Sequence, residues 1–358
     1  MTKTTPANGS PPVAITMGDA AGIGPEIVAK AYAAHPQLLH NCFVVGDVGT
    51  MRRASQLLAH AGHPALPTAV ISGPDQVWQV PPHCIPVLQV GDAVAIVPWG
   101  AVSSTAGLLA GRCVEWAADA ALQGQISAMV TAPLHKEALY AAGPPYDQFP
   151  GHTELLQSRA ARFLGKPVSD VPVRMMLAND ELRTVLVSIH MSLRHAIEAV
   201  TFDNVLQTLH ITHAALSRLL GRPPRIAVAG LNPHAGEGGL FGREELEVIA
   251  PAIAAARANG IQASGPFAPD TVFMRARNLP GRASPFDVVV AMYHDQGLIP
   301  VKYLGVEQGV NVTLGLPLVR TSPDHGTAFD IAGTGRADAT SLVQAIRMAQ
   351  TLSGGTVE

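Results

Sequence analysis

The chain is poor in charge, because Asp, Glu, Lys and Arg make up only 14% of its 358 residues and the formal net charge is -3. No cluster of Lys and Arg resembles the basic face that binds nucleic acid, so we expect no nucleic-acid partner. Long apolar runs are lacking as well, since none reaches the 18 uninterrupted residues that indicate a membrane span. We therefore expect no membrane partner.

Cysteine is scarce, and the three residues Cys42, Cys84 and Cys113 lie far apart. Their odd number and wide spacing argue against a disulfide framework and against a CxxC metal pair, which indicates a reducing cytoplasm. The opening segment MTKTTPANGSPP has no apolar signal-peptide core, so we expect a floppy tail there.

Hydrophobic residues, by contrast, make up 47% of the chain, which is enough for a large core, and the length favours two domains. Short continuous apolar runs predict strands that are buried on both faces, as in a mostly parallel sheet. The predicted strands are VAIT (13–16), CFVVG (42–46), SAMVTA (127–132), RMMLA (174–178), TVLVSI (184–189), RIAVAG (225–230) and DVVVAM (287–292).

Helical patterns lie between these runs, and three of the four clearest end at a glycine, as helices commonly do. They are GPEIVAKAYAAH, GLLAGRCVEWAADAALQG, FDNVLQTLHITHAALSRLLG and REELEVIAPAIAAARANG. Alternating strands and helices predict an α/β fold with helices on both faces of the sheet. The Pro-rich segment AAGPPYDQFPG (141–151) is predicted to be a hinge or crossover between domains.

Polar or glycine-rich turns follow five of the predicted strands: MGDAAGIGPE, PLHK, HMS, LNPHAGEGG and YHDQG. In open α/β sheets, ligands bind beyond the carboxyl ends of the strands, where several loops meet. The turns therefore predict one shared, enzyme-like site.

Three histidines in these turns, His190, His234 and His294, follow apolar strands closely. Each taken alone is more often a structural histidine at a strand end than a ligand. Together, with no cysteine nearby, they predict a site for zinc or another divalent ion with positions open to substrate.

An anionic substrate is indicated by a second group of residues. PGHTEL places His152 and Thr153 at a helix N-terminus, which favours an anion, although a plain helix cap is an equal interpretation. Lys302 and Arg320 lie beside apolar segments, with Asn311 between them in the chain. Buried cations need an anionic partner, and a phosphate or carboxylate substrate would provide one.

These motifs resemble a known family when they are taken in order: GDAAGIGPE, TAPLHK, PGHTE, LNPHAGEGG, PDT, MYHDQG, GVNVTLGLP and RTSPDHGTAFDIAG. The chain is similar to the 4-hydroxythreonine-4-phosphate dehydrogenases of pyridoxal phosphate biosynthesis, from about Val13 to about Met348. DHGTAFDIAG (324–333) also resembles the cofactor loop of the wider isocitrate and isopropylmalate dehydrogenase superfamily, which binds a nicotinamide dinucleotide without a Rossmann fingerprint.

The resemblance implies that His190, His234 and His294 bind zinc, magnesium, cobalt or manganese, with ligands from both subunits of a homodimer. Asp270 matches an acidic position near the metal, and either Asp270 or Lys302 is the expected proton relay. Substrate contacts are implied for His152, Thr153, Lys302, Asn311 and Arg320. Contacts to NAD or NADP are implied for His325, Gly326, Thr327 and Asp330.

The resemblance also implies an isopropylmalate dehydrogenase-like fold of two α/β/α domains with mostly parallel sheets and a cleft between them. Residues 1–145 and 318–358 are expected to form the cofactor-side domain. Residues 146–317 are expected to carry the metal, the substrate and the dimer contacts.

The expected reaction is the metal-dependent, NAD-linked oxidation and decarboxylation of a 4-phosphorylated hydroxy acid. 4-Hydroxythreonine 4-phosphate is the first candidate substrate. D-threonate or D-erythronate 4-phosphate and a terephthalate cis-dihydrodiol are alternatives within the family. A non-catalytic metal- or sugar-phosphate-binding protein and a metal-dependent hydrolase are alternatives from other classes.

Overall fold

A computed structural model describes residues 10–60, 62 and 65–354 of the chain. It divides the chain into two compact units, Met1–Pro172 with Leu316–Glu358, and Val173–Gly315. The first nine residues of the expected N-terminal tail lie outside the described residues. Among the helices that are described, none combines the length and apolarity needed to cross a membrane.

The described strands, in chain order, are β1 (Val13–Thr16), β2 (Cys42–Gly46), β3 (Thr68–Ile71), β4 (Ile85–Gln89), β5 (Ala128–Thr131), β6 (Arg174–Ala178), β7 (Arg183–Leu186), β8 (Ile226–Ala229), β9 (Ala263–Phe267), β10 (Val288–Ala291), β11 (Val310–Leu314) and β12 (Arg320–Pro323).

The described α-helices are α1 (Gly24–Ala34), α2 (Val48–His60), α3 (Ser104–Leu122), α4 (Lys136–Ala141), α5 (His152–Leu164), α6 (Leu193–Glu198), α7 (Phe202–Leu220), α8 (Ala250–Ala258), α9 (Pro269–Ala276), α10 (His294–Tyr303) and α11 (Thr340–Leu352).

The first unit contains a sheet in the order β3-β4-β2-β1-β5-β12. Every pairing between neighbouring strands described in it is parallel. β1, β2 and β5 are buried along their whole length, which explains their continuous apolar sequences, because helices cover both faces of such a sheet.

The second unit contains a sheet in the order β11-β6-β7-β10-β8-β9. β7, β10, β8 and β9 are parallel, whereas β6 runs antiparallel to both of its neighbours. The sheet was expected to be mostly parallel, and β6, formed by the apolar run RMMLA, is the antiparallel exception. Burial on both faces produces the same sequence in either direction, so strand direction cannot be read from it.

All seven predicted strands are present, and β1, β2 and β6 have the predicted bounds. Several helices begin or end at residues that cap them. The Ser103 side chain accepts a hydrogen bond from the Ala106 amide at the start of α3, and Gly221 ends α7 with a φ of 64°. Such caps satisfy backbone groups that a helix end leaves without partners.

The boundary between the units lies at 172/173, whereas the sequence suggested 145/146. α5 packs on α3, where Arg159 Nε donates to Asp119 at 2.9 Å and its guanidinium also pairs with Glu115. These contacts assign α5 to the first unit. The segment 141–151, expected to be a hinge between domains, instead joins α4 to α5 inside that unit.

Candidate active site

The carboxyl ends of three parallel strands in the second unit carry the three histidines singled out above. β10 pairs with both β7 and β8, so the loops that follow these strands leave the sheet at one edge. His190 follows β7, His234 follows β8, and His294 follows β10 as the first residue of α10. The fold therefore places all three on the same edge of one sheet.

His190 and His294 are neighbours, with ring centroids 5.6 Å apart and planes inclined at 47°. Two imidazoles on one tetrahedral ion have centroids about 5 Å apart, given a metal–nitrogen distance of about 2 Å. Nδ1 of His294 lies 2.7 Å from Oδ1 of Asp295, a carboxylate contact of the kind that often orients a metal-binding imidazole. This pair therefore fits two ligands of a divalent ion.

His234 lies apart from that pair, on an exposed turn where its ring is 6.3 Å from the ring of Phe241. Across residues 10–60, 62 and 65–354, no three His, Cys, Asp or Glu side chains converge closely enough to hold a metal ion. A catalytic zinc site normally has three protein ligands. Among the three histidines, only His190 and His294 are therefore neighbours within the described part of one chain.

A cavity of about 710 Å³ in the second unit is lined by His234, Asp270 and Asp295. Much of its remaining wall is apolar, with Phe273 and Ile299 among the lining residues. Asp270 is exposed in the first turn of α9. The structure therefore brings Asp270 and His234 to one cavity. The expected place of Asp270 near a metal ion stays a prediction.

Lys302 and Asn311 do not line this cavity. Lys302 is an exposed residue in the last turn of α10, about 12 Å along the helix from His294 at 1.5 Å per residue. Asn311 lies on β11 opposite Leu177. Their expected contacts to substrate remain predictions.

The β8 and β10 ends are linked by a residue that sequence reasoning did not single out. Gln296 accepts a hydrogen bond from the Met292 amide at 2.7 Å and donates one to the Gly230 carbonyl at 2.8 Å. It therefore fixes the loop that carries His294 against the loop that carries His234. The YHDQG motif contained this signal, since a polar side chain after a buried strand needs partners.

The first unit contains a separate cationic pocket around Arg320. Arg320 is 4% exposed at the start of β12, and its guanidinium donates to Oγ1 of Thr131 at 2.7 and 3.1 Å. Burial lowers the pKa of Arg320 to about 10, and the nearby Glu154 carboxylate opposes that shift. Such a buried cation provides a strong electrostatic attraction for an anion.

His152 belongs to the same pocket. α5 begins at His152, and its N-cap Gly151 provides no side-chain cap for the first amides. Nε2 of His152 is buried without a hydrogen-bond partner. Burial, together with the positive charges of Arg320 and Lys136, holds the pKa of His152 well below its usual range.

Lys136 is a member of this pocket that sequence reasoning missed, although its motif TAPLHK was noted. It is the first residue of α4, and its Cε lies 3.8 Å from the position that a Cβ on Gly151 would occupy. The side chain therefore reaches the N-terminus of α5. A lysine just after a buried strand was the available signal.

The predicted cofactor loop connects β12 to α11 in the first unit. Thr327 is buried, and its carbonyl accepts a hydrogen bond from the Ile23 amide at 3.0 Å. His325, Gly326 and Asp330 are exposed, and a Cβ on Gly326 would meet nothing within 4 Å. The loop is therefore anchored at Thr327 and is open and polar on its outer side. Its expected contacts to a dinucleotide stay predictions.

The family model described as "Pyridoxal phosphate biosynthetic protein PdxA" matches residues 39–349. The chain belongs to this family. A 4-hydroxythreonine-4-phosphate dehydrogenase of Beijerinckia indica is 50% identical over 342 residues, and the match covers 95% of both chains. A D-threonate 4-phosphate dehydrogenase of Pectobacterium atrosepticum is 44% identical over 344 residues, which cover 95% of this chain and 99% of the relative.

The crystal structure of a 4-hydroxythreonine-4-phosphate dehydrogenase from Klebsiella pneumoniae matches with a TM-score of 0.82 and 41% identity. The match covers 97% of this chain and 99% of that chain. The family resemblance seen in the motifs and the mixed α/β fold with mostly parallel pairing are therefore confirmed. The family is one of dehydrogenases.

Proposed function

We propose that this protein oxidises and decarboxylates a 4-phosphorylated hydroxy acid with NAD or NADP and a divalent metal ion. 4-Hydroxythreonine 4-phosphate is the favoured substrate, which places the reaction in pyridoxal phosphate biosynthesis. The observation that carries this proposal is the cationic pocket around the buried Arg320, because it suits a phosphorylated substrate. The Beijerinckia indica relative, which is named for that activity, adds support.

In this proposal the phosphate group lies at the N-terminus of α5. The free amides there and Thr153 donate hydrogen bonds to it, and Arg320 and Lys136 provide positive charge. His152 reaches the pocket with a buried, unpartnered Nε2. A phosphate would give that atom its missing partner, while Lys302 and Asn311 contact the remaining polar groups of the substrate.

The metal ion is proposed to bind His190 and His294 of one chain and His234 of a second copy. The adjacency of the first two rings and the separate position of the third support a homodimer with a shared site. Large apolar side chains surround the His234 turn and its cavity, including Leu240, Phe241, Met274 and Ile299, which are 73%, 50%, 65% and 62% exposed. An apolar surface of this kind suits a subunit interface.

The bound metal ion would supply Lewis acidity toward the substrate hydroxyl, and the bound dinucleotide would accept the hydride. Asp270 is the better-supported acceptor of the hydroxyl proton, because its carboxylate shares a cavity with His234. Lys302 is the alternative acceptor. His325, Gly326, Thr327 and Asp330 hold the dinucleotide on the loop before α11.

D-threonate 4-phosphate is the second candidate substrate, and the 44% identical relative named for that activity favours it. The two candidates share the phosphate and differ in an amine or a hydroxyl next to the reacting carbon. A terephthalate cis-dihydrodiol has no phosphate, so it lacks the group for which the positive charges of the Arg320 pocket are proposed. A metal-dependent hydrolase or a non-catalytic binding protein would have no use for a cofactor loop.

The three unpaired thiols of Cys42, Cys84 and Cys113 support a reducing compartment, and we propose the cytoplasm as the place of action.

The test is a panel assay of NAD and NADP reduction with both phosphorylated acids and the aromatic dihydrodiol. Each substrate is assayed with metal-stripped enzyme and after the addition of zinc, magnesium, cobalt or manganese. We expect reduction with a phosphorylated acid and only when a metal is added. Reduction with the dihydrodiol alone, or full activity of metal-stripped His234→Ala, would contradict the proposal.

A further inference from the structure

His234 lies on a turn of left-handed backbone, which is rare for residues with side chains. Every residue from 234 to 239 has a positive φ. The values are 53° at His234, 52° at Ala235, 78° at Gly236, 42° at Glu237, 66° at Gly238 and 99° at Gly239. His234, Ala235 and Glu237 are not glycines, so this conformation costs free energy at three positions. Contacts elsewhere must stabilise it.

Glu245 supplies such contacts to the residues just before the turn. Its side chain is buried, and Oε1 accepts hydrogen bonds from the amides of Leu231 and Asn232, each at 2.7 Å. Oε2 accepts a third from Nδ2 of Asn232 at 3.0 Å. These bonds fix the chain two and three residues before His234.

The same carboxylate also lies against the turn itself. A Cβ on Gly236 would lie 2.7 Å from Oε2 of Glu245, and a Cβ on Gly230 would lie 3.0 Å from Oε1. The lack of a side chain at Gly230 and Gly236 lets the backbone wrap around the Glu245 carboxylate.

Glu245 is itself the first residue of a π-helical segment, Glu245–Ile249, which precedes α8. Single π-turns inside α-helices are frequently found at functional sites. The wider turn therefore provides a second, independent sign that the direction of this carboxylate matters.

We propose that Glu245 is a positioning residue that acts through the left-handed turn to set the place and direction of the His234 imidazole. Its carboxylate contacts the chain on both sides of His234, so it fixes the backbone from which that ring projects. The inference rests on the proposed function, since it takes His234 as a metal ligand. Glu245 itself touches neither the metal nor the substrate.

The experiment titrates Co²⁺ and, separately, Zn²⁺ into the metal-stripped full-length protein. Affinity and the visible absorption of bound Co²⁺ are compared for the parent, His234→Ala, Glu245→Ala, Glu245→Gln and Glu247→Ala. Glu247 is the matched control, because it is an exposed glutamate on the same π-turn that pairs with Arg243. Thermal unfolding of each metal-free protein reports stability separately.

We expect Glu245→Ala to weaken metal binding about 10- to 100-fold, the usual effect of removing a group that orients a ligand. Glu245→Gln keeps the size and one oxygen, so it should recover much of the affinity and the parental Co²⁺ spectrum. Glu247→Ala should bind as the parent does. If Glu245→Ala does not fold, Gly236→Ala takes its place, because its Cβ would displace the carboxylate.

Parental affinity and spectrum in the folded Glu245 variants, with loss of binding in His234→Ala, would overturn this inference alone. Metal binding by His234→Ala equal to that of the parent would instead overturn the proposed metal site. A loss of stability in Glu245→Ala with unchanged metal affinity would show that the carboxylate is only structural.

Discussion

The two units build their candidate sites in opposite ways. The first unit collects Arg320, Lys136 and His152 from three different elements into one cationic pocket within one chain. The second unit brings together only His190 and His294, and leaves His234 exposed on its own turn. The cationic pocket is completed by tertiary packing within one chain, whereas the proposed metal site would need His234 of a second copy.

The largest effect is expected from replacing the histidines of the proposed metal site. These variants also test whether two chains share that site. His234→Ala and His294→Ala should each lower kcat by about 1000-fold or more, because metal-ion stabilisation is worth several kcal/mol.

In a mixed dimer of the two variants, one of the two shared sites keeps all three histidines, and the other lacks both of the replaced ones. Co-expression should therefore restore about a quarter of parental activity in a randomly mixed two-fold assembly.

Each variant expressed alone is the control for that restoration. Mixtures that stay as inactive as the single variants would show that one chain must supply all three ligands, and the contrast between the units would disappear.

The next effect concerns the cationic pocket. Arg320→Met should raise KM for the phosphorylated substrate by about 100-fold, since a buried charge-assisted contact is worth roughly 2–3 kcal/mol. Lys136→Met should raise KM less, because a more mobile lysine makes weaker contacts. Steady-state kinetics and protection from thermal unfolding by inorganic phosphate would measure both changes.

Arg162→Met is the control. Arg162 is an exposed arginine in the last turn of α5, at the opposite end of that helix from the proposed phosphate site. An unchanged KM in Arg320→Met would exclude the pocket as the phosphate site.

A third prediction concerns the packing that places Lys136. A Cβ on Gly107 of α3 would lie 1.9 Å from the Ala138 carbonyl oxygen in α4. Gly107→Ala should therefore lower the free energy of unfolding by about 1–3 kcal/mol. Gly326→Ala, where a Cβ has open space, should change it by less than about 0.5 kcal/mol. Urea denaturation of the Gly107→Ala and Gly326→Ala variants measures this difference. Equal urea midpoints of unfolding would contradict the close contact between α3 and α4.

The smallest effect depends on pH. The pKa of His152 is held well below its usual range by burial and by the charges of Arg320 and Lys136. The unfolded chain therefore binds more protons below about pH 6.5, and the free energy of unfolding should fall by up to about 1.4 kcal/mol per pH unit as the pH drops. The loss ends once the folded protein also protonates His152.

His152→Gln should lack this part of the acid sensitivity. Urea midpoints at pH 7 and pH 5, measured for both proteins, give the comparison. An identical loss in the variant would show that His152 does not titrate differently in the folded state.

Sequence alone determined the positions of seven of the described strands, because an apolar run between helices has few other places in an α/β fold. It did not reveal β3, β4, β9, β11 or β12. The sequences of β9 and β12, ASGPF and RTSP, mix polar residues with proline. Nor did it reveal that β6 runs antiparallel to both of its neighbours, because burial on both faces selects the same apolar residues in either strand direction.

For the sites, the sequence identified the three histidines, the arginine and the helix start, because chemically distinctive residues stand out against apolar strands. Only the tertiary structure decided which of them meet. Long-range pairing placed His190 beside His294 and left His234 apart, and packing of α4 against α3 added Lys136 to the pocket of Arg320. Such groupings depend on which distant segments become neighbours in the folded chain, and no local pattern encodes that.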